Sequence, residues 1–258
     1  KPYIIKALTY GTTPPGQSAE DSTLQDWMQM DYNKNGKIDG PYDSWVDKNR
    51  NNIQDADEPA VGDLQLMKDM GANTIRMYNH ASNKEILMDA YKNYGIMVMM
   101  GDFFGMYGVG SGAGYDKGTD FSNPEHRKNM IVSVTEMVAS FKDEPYVLCW
   151  VLGNESDYSL GCNVKGNPKA YYQFVNEVVK MIHQMDPTRP VAISNGTTDH
   201  LKLIAKYAPE VDIFMINAYY GSRGFGGVWQ TVSEKLGRPV IIGEYGCPAY
   251  HEGKSQDI

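Results

Sequence analysis

Residues 146–155 read YVLCWVLGNE, an apolar run that ends on a glycine, an amide and a carboxylate. The run from Tyr146 to Leu152 shows no polar alternation, as expected of a strand buried on both faces of a parallel sheet. Helical patterns flank it. Upstream, Glu125–Phe141 places Met130, Val134, Met137, Val138 and Phe141 on one stripe. Downstream, Ala170–Met185 does the same with Phe174, Val178, Met181, Ile182 and Met185. Working outward, short apolar runs at Ile4–Tyr10, Thr74–Tyr78, Ile96–Met100, Val191–Ser194, Ile213–Ala218 and Val240–Gly243 predict six more strands. The later ones recur at intervals of about 20–40 residues, the length of a βα unit. Repeated βα units over a chain of 258 residues predict an α/β protein, a (β/α)8 TIM barrel spanning 1–258 as one domain. A doubly wound open sheet is the alternative that periodicity alone does not separate. Seven strands leave a barrel one short. The expectation is therefore a C-terminal segment or domain that completes it, unless a strand hides in the long insertion after the first strand.

Composition narrows the classes of partner. Hydrophobic residues make up 41% and charged residues 22%, which excludes a disordered tail, a collagen-like repeat and a coiled coil. With 24 Lys and Arg against 32 Asp and Glu, the net charge is −8, the wrong sign for a groove that tracks phosphates. No apolar run is long enough to span a membrane. The first residues, KPYIIKAL, lack the apolar stretch of a signal peptide, so the chain is either cytosolic or a mature form without its leader. Three cysteines do not make a disulfide scaffold. Cys149 lies inside a strand as a small hydrophobe, and a bond between Cys162 and Cys247 is an option.

Two strand ends carry chemistry. Gly153-Asn154-Glu155 closes the fourth strand and Gly243-Glu244-Tyr245 the seventh. Barrel sites lie at the C-terminal strand ends, and positions four and seven of an eight-stranded ring face each other across the mouth. Two facing carboxylates are the requirement for glycosidic cleavage, one protonating the leaving oxygen while the other attacks or activates water. At about 5–5.5 Å the second is a nucleophile and configuration is retained. Mutual repulsion would raise the pKa of one of them. Arg76 ends the second strand, where a buried guanidinium needs a carboxylate, for which Glu244 is a candidate and a surface ion pair the bland alternative. His80 follows that strand and suits either a sugar hydroxyl or a structural bond. Tyr219 follows the sixth strand as a site or packing aromatic. Trp229, in the Gly-rich GSRGFGGVWQ, and Phe103, Phe104 and Tyr107 after the third strand could each stack on a sugar. The stretch Gly105–Gly118 lacks both the Lys-Ser/Thr and the G-x-G-x-x-G turn of a nucleotide loop, so it reads as a mobile rim.

The insertion (11–63) is rich in Asn and Asp. Asp31, Asn33, Asn35, Lys37 (through its carbonyl) and Asp39 alternate as the start of an EF-hand-type calcium loop, with Gly36 at position six and Tyr42 where the twelfth ligand belongs. Asp47, Asn49, Asn51 and Ile53 repeat the pattern, with Asn52 at position six and Glu58 at twelve. Hard oxygen donors suit structural Ca2+, and no cofactor is expected for the chemistry. The alternative is a polar loop whose Asn and Asp residues merely make turns.

The motifs GANTIRMYNH (71–80), WVLGNES (150–156), DPTRPVAISNG (186–196), NAYYG (217–221) and GEYG (243–246) together resemble the clan of retaining (β/α)8 glycoside hydrolases, and most closely the family 2 catalytic barrel. IRMYN and EYGC are also similar to β-1,3-glucan transglycosylases of that clan. The resemblance implies Glu155 as acid/base, Glu244 as nucleophile, Asn154 on the sugar 2-hydroxyl, Arg76 beside the nucleophile and Tyr219 on the nucleophile or sugar. It implies a retaining β-glycosidase acting on a plant or microbial oligo- or polysaccharide. A transglycosylase with the same covalent intermediate, or a non-catalytic carbohydrate-binding protein, are the alternatives. Calcium-type loops, an acidic surface and a glycan substrate predict a secreted or cell-surface protein.

Overall fold

The computed structural model describes residues 3–11, 25–80, 82–157, 164, 166–219 and 225–246. Among these, seven strands are β1 (Ala7–Thr9), β2 (Thr74–Arg76), β3 (Met97–Asp102), β4 (Val147–Leu152), β5 (Val191–Asn195), β6 (Ile213–Ala218) and β7 (Val240–Tyr245). The helices are α1 (Gly40–Asp43), α2 (Asp63–Asp69), α3 (Lys84–Tyr94), α4 (Pro124–Phe141), α5 (Pro168–Met185), α6 (Leu201–Tyr207) and α7 (Phe225–Leu236). The strands follow chain order in one sheet, and every pairing described is parallel. That is the strand order of a TIM barrel, and an open doubly wound sheet, whose strand order reverses, is ruled out. No eighth strand lies among the described residues. Among them, too, no helix is long and apolar enough to cross a membrane.

The chain divides into two compact units, one of residues 1–100 with 144–148, the other of 101–143 with 149–258. In the first unit, β1 pairs with β2 from Ala7 opposite Thr74 to Thr9 opposite Arg76. Ala7 and Thr9 are nevertheless exposed, which corrects the expectation of a strand buried on both faces. The reason is position: β1 ends the strand order and, among the described strands, pairs only with β2. The insertion is pinned by buried-side hydroxyls. The Tyr10 hydroxyl donates to Asp63 Oδ2 at 2.5 Å and Trp27 Nε1 to the same oxygen at 2.9 Å. Burial, and then the adjacent Asp63 carboxylate, push the Tyr10 phenol far above its ordinary pKa, so it remains a donor. Tyr42 donates likewise to Asp89 Oδ2 of α3 at 2.5 Å.

In the second unit the middle strands are the apolar centre. Leu152, Ile193, Phe214 and Ile216 are fully buried. Register places Trp150 opposite Val191, Leu152 opposite Ile193, and Ile193 opposite Phe214, so these side chains share one face. Trp150 shows which face it is: its Nε1 donates to Asp186 Oδ2 at 3.1 Å, at the C-terminal end of α5. That face meets the helices. The alternate residues Ser194, Met215 and Asn217 therefore point the other way, toward the barrel interior. Asp186 also accepts from Thr188 and Arg189, closing the 186–190 turn. Burial alone would raise its carboxyl pKa, but the bonds from Thr188, Arg189 and Trp150 outweigh that and hold it below the usual value.

Candidate active site

β4 ends in a turn whose backbone the sequence dictates closely. Gly153 sits at φ +71°, and a Cβ there would lie 2.7 Å from Ser156 Oγ and 3.4 Å from the Tyr171 hydroxyl. Only glycine fits both the angle and the space. Two residues on, Glu155 itself adopts φ +53°, a left-handed conformation that costs a side-chain-bearing residue about 1 kcal/mol or more. It is held there by its own N–H, which donates to the Ser194 carbonyl at 2.9 Å. Asp157, buried, fastens the far side of the turn. Its carboxylate accepts from Gly196 N (2.7 Å), Thr197 N (2.8 Å) and Thr197 Oγ1 (2.7 Å), tying the loop after β4 to the loop after β5.

Asn217, near the end of β6, faces inward and gathers the neighbouring strand ends. Its side-chain nitrogen donates to Asn154 Oδ1 and to Glu155 Oε1, each at 3.0 Å. Its oxygen accepts from Ser194 Oγ at 3.4 Å. Both amide protons are thus committed, and the Glu155 carboxylate is oriented by a donor from another strand.

Glu244 reaches the same face through a β-bulge. β6 and β7 pair Ile216 with Ile242, but the next pair is Asn217 with Glu244, so Gly243 is the extra residue. Without it, strict alternation would put Glu244 on the face of Ile242, toward the helices. With it, Glu244 stands beside Asn217, whose amide already holds Glu155. The Tyr219 hydroxyl donates to Glu244 Oε2 at 2.5 Å. Asn154, Glu155, Asn217, Tyr219 and Glu244 therefore converge on the C-terminal ends of β4, β6 and β7.

Arg76 and His80 belong to the first unit. There Arg76 is buried, its guanidinium carbon 4.8 Å from the centroid of the Tyr78 ring. Trp229 is exposed, but it lies on α7 rather than in a loop. Phe104 is fully buried and stacks on Phe174 at 5.2 Å, so it is closed to a sugar; the expectation that it could stack there is corrected. Cys162 and Cys247 lie outside the described residues, and Cys149 is buried within β4. Sequence reasoning passed over Asn217 and Asp157. The signal was present in each case, a polar residue directly ending an apolar run or following the Gly-Asn-Glu turn.

The insertion forms two loops of matching geometry. Lys34 and Arg50 take φ +61° and +62°, and Gly36 and Asn52 take +88° and +59°. Asp31 accepts from the N–H groups of Asn35 (2.9 Å) and Gly36 (2.8 Å), and Asp47 from those of Asn51 (3.1 Å) and Asn52 (2.8 Å). Buried Glu58 accepts from Lys48 N at 2.6 Å and Asp55 N at 3.1 Å. In the first loop Asp43, one place beyond Tyr42, accepts from the N–H groups of Tyr32 and Asn33, both at 3.2 Å. Asp43 thus takes the place that the sequence left unassigned, and Asp55 occupies position nine of the second loop. Among the described residues no three His, Cys, Asp or Glu side chains converge as a metal cluster. An ion held there would depend on Asn and carbonyl oxygens as well.

Three comparisons bear on this geometry. The family profile described as "Glycosyl hydrolases family 2, TIM barrel domain" matches residues 52–257. A β-glucuronidase of Mus musculus is 27% identical over 207 residues, covering 74% of this chain and 28% of that protein. A β-galactosidase of Lactococcus lactis is 28% identical over 196 residues, covering 74% of this chain and 17% of that protein. The chain therefore spans only about a quarter or less of the length of these relatives. Among solved structures, a β-D-glucuronidase of Dictyoglomus thermophilum superposes with a TM-score of 0.52 at 22% identity, over 76% of this chain and 36% of that one. At that identity the likeness speaks for the fold alone.

Proposed function

From the premise that this chain belongs to glycosyl hydrolase family 2, we propose that it cleaves β-glycosidic bonds with retention, using Glu244 as nucleophile and Glu155 as acid/base. Asn217 carries the reading. One amide donates to Glu155 and, through the bulge at Gly243, stands in register with Glu244, so two carboxylates on different strands share one inward face. In the first step a Glu244 oxygen attacks the anomeric carbon while Glu155 gives its proton to the departing glycosidic oxygen. In the second, Glu155 takes a proton from water, whose oxygen displaces Glu244 from that carbon. The Tyr219 hydroxyl neutralises part of the Glu244 charge in the free enzyme and can release it as the glycosyl ester forms. Asn154, oriented by Asn217, offers its amide to a sugar hydroxyl. The substrate class is a plant or microbial glycan, and since relatives include a β-glucuronidase and a β-galactosidase, β-glucuronides and β-galactosides are the first compounds to try. Incubation with a panel of 2-deoxy-2-fluoro glycosyl fluorides, followed by peptide mass mapping, tests the assignment. A sugar ester on Glu244 is the expected result, and labelling at any other carboxylate overturns it.

We also propose that the loops at 31–43 and 47–58 bind structural calcium. Asp31, Asn33, Asn35, the Lys37 carbonyl, Asp39 and Asp43 would hold one ion. Asp47, Asn49, Asn51, the Ile53 carbonyl, Asp55 and Glu58 would hold the other. The fit rests on hard oxygen donors at alternate positions and on a buried Asp39 oxygen without a hydrogen-bond partner. Such loops suit an extracellular station, where calcium is plentiful. Equal melting temperatures in chelator and in excess calcium would refute this.

A further inference from the structure

The loop after β3 presents a feature that bond cleavage does not use. Its inner side is tightly fastened. Ser111 and Thr119, both fully buried, share a hydroxyl–hydroxyl bond of 2.7 Å. Thr119 Oγ1 donates to the Gly105 carbonyl at 2.5 Å, and Asn129 Nδ2 to the Ser111 carbonyl at 2.9 Å. Its outer side carries aromatic surface. Tyr107 is 43% exposed, Val109 43% and Tyr115 42%. The two tyrosine rings stack with centroids 6.1 Å apart and planes 22° from parallel, and Phe103 meets Tyr107 edge-on at 6.3 Å. A stretch rich in glycine would ordinarily be free to fold such rings inward, yet the hydrogen bonds hold them outward as a ready-made face.

The root of this loop is one hydrogen bond from the acid/base turn. Asp102, the last residue of β3, accepts the Gly153 N–H through its carbonyl at 2.9 Å, two residues before Glu155. Its carboxylate accepts from Phe104 N at 2.7 Å and from Ser133 Oγ at 2.6 Å, which sets the direction in which the loop leaves the strand. Loops at this end of barrel strands line the substrate site. A π-face is negative, and the axial C–H groups of a pyranose ring are weakly positive and apolar, so the two surfaces are complementary. The hydroxyls of the tyrosines can meet the equatorial hydroxyls of the same ring.

We propose that Tyr107 and Tyr115 form a stacking platform for a further sugar ring of a β-linked oligosaccharide, next to the ring cleaved at Glu155 and Glu244. The inference deepens the glycosidase reading and rests on it. It assigns the enzyme to chains of two or more sugars rather than to small aryl or alkyl glycosides.

The test compares p-nitrophenyl β-monoglycosides with di- to pentasaccharide ladders of β-1,3-, β-1,4- and β-1,6-linked glucose and galactose. The wild-type enzyme should gain kcat/KM with chain length on at least one ladder. Tyr115→Ala should lose about tenfold or more on that ladder and stay within about twofold on the monoglycoside, while Tyr115→Phe keeps both. Tyr107→Ala, with its melting temperature recorded, is the second variant, since Tyr107 adopts φ +56° and its replacement also perturbs the backbone. Indifference to chain length in the wild type, or an equal change on both substrates, overturns the platform. If no glycoside or ladder is cleaved, it is the glycosidase reading that fails. Calorimetric titration of the same ladders onto wild type and Tyr115→Ala then judges the platform alone, and equal affinities, or no binding to either, overturn it.

Discussion

The turn that carries Glu155 and the loops of the insertion are both rich in Asn, Asp and left-handed residues, but they are held by opposite means. In the insertion, each Asp or Asn oxygen accepts mostly from N–H groups two to five residues ahead, as Asp31 does from Asn35 and Gly36. The pattern is local, exposed and repeated nearly unchanged at Asp47. At the end of β4, the bonds reach far along the chain. Asp157 accepts from residues 196 and 197, Glu155 donates to residue 194, and Asn217 donates to Glu155. A short-range loop is a motif that any sufficiently similar sequence would form. A long-range turn exists only once three strands have found their register, and Asp157 and Asn217 within it are buried, so a bond lost there leaves an unpaired partner.

This contrast yields graded expectations. The largest effect belongs to Glu244→Gln, which should lower kcat by about a thousandfold, roughly 4 kcal/mol of barrier, with an unchanged melting curve. Near-full turnover of the variant would remove Glu244 from the mechanism. Next, Asp157→Ala strips three donors of their acceptor and should cost about 3 kcal/mol in denaturant unfolding. Asp31→Ala in chelator should cost no more than about 0.5 kcal/mol, because water replaces an exposed acceptor. Equal losses at the two sites would erase the distinction. Calcium at a hundred times its dissociation constant should add about 2.7 kcal/mol, read by calorimetry, and should do so without altering kcat. Gly153→Ala should cost about 2 kcal/mol through its φ of +71° and the approach to Ser156, and it should reduce activity by displacing Glu155.

A further effect concerns pH. Asp186 is held below the ordinary carboxylate pKa in the folded protein. It therefore stabilises the fold above the unfolded value of about 4, and that contribution fades as pH falls through the lower folded value. Unfolding of Asp186→Asn across pH 2–6 should show a flatter acid limb than the wild type.

Much of this was legible in the residues. The strand at Ile213–Ala218 forms over the range that its apolar run marks, and helices α4 and α5 begin one or two residues before their apolar stripes. Those signals are periodic and local. The edges were less legible: Ile4–Tyr10 forms a strand only at Ala7–Thr9, because burial there depends on neighbours that periodicity does not count. Glu155 and Glu244 stood out because each follows an apolar run. Asn217 and Asp157 did not, since a lone polar residue acquires meaning only from the atoms it meets. The twelfth position of the first loop of the insertion reads as Tyr42, whereas the acid that accepts from the N–H groups of Tyr32 and Asn33 stands one residue on, at Asp43.

The amino-acid sequence by itself determined the alternation of strand and helix, the family and the two acidic strand ends, since each is written in short-range pattern. Only the tertiary structure decided that Glu244 faces inward. That depends on one extra residue, Gly243, in the pairing of β7 with β6. Side-chain direction in a strand reverses with every residue, so a single bulge, invisible to periodicity, chooses between the barrel interior and the helices.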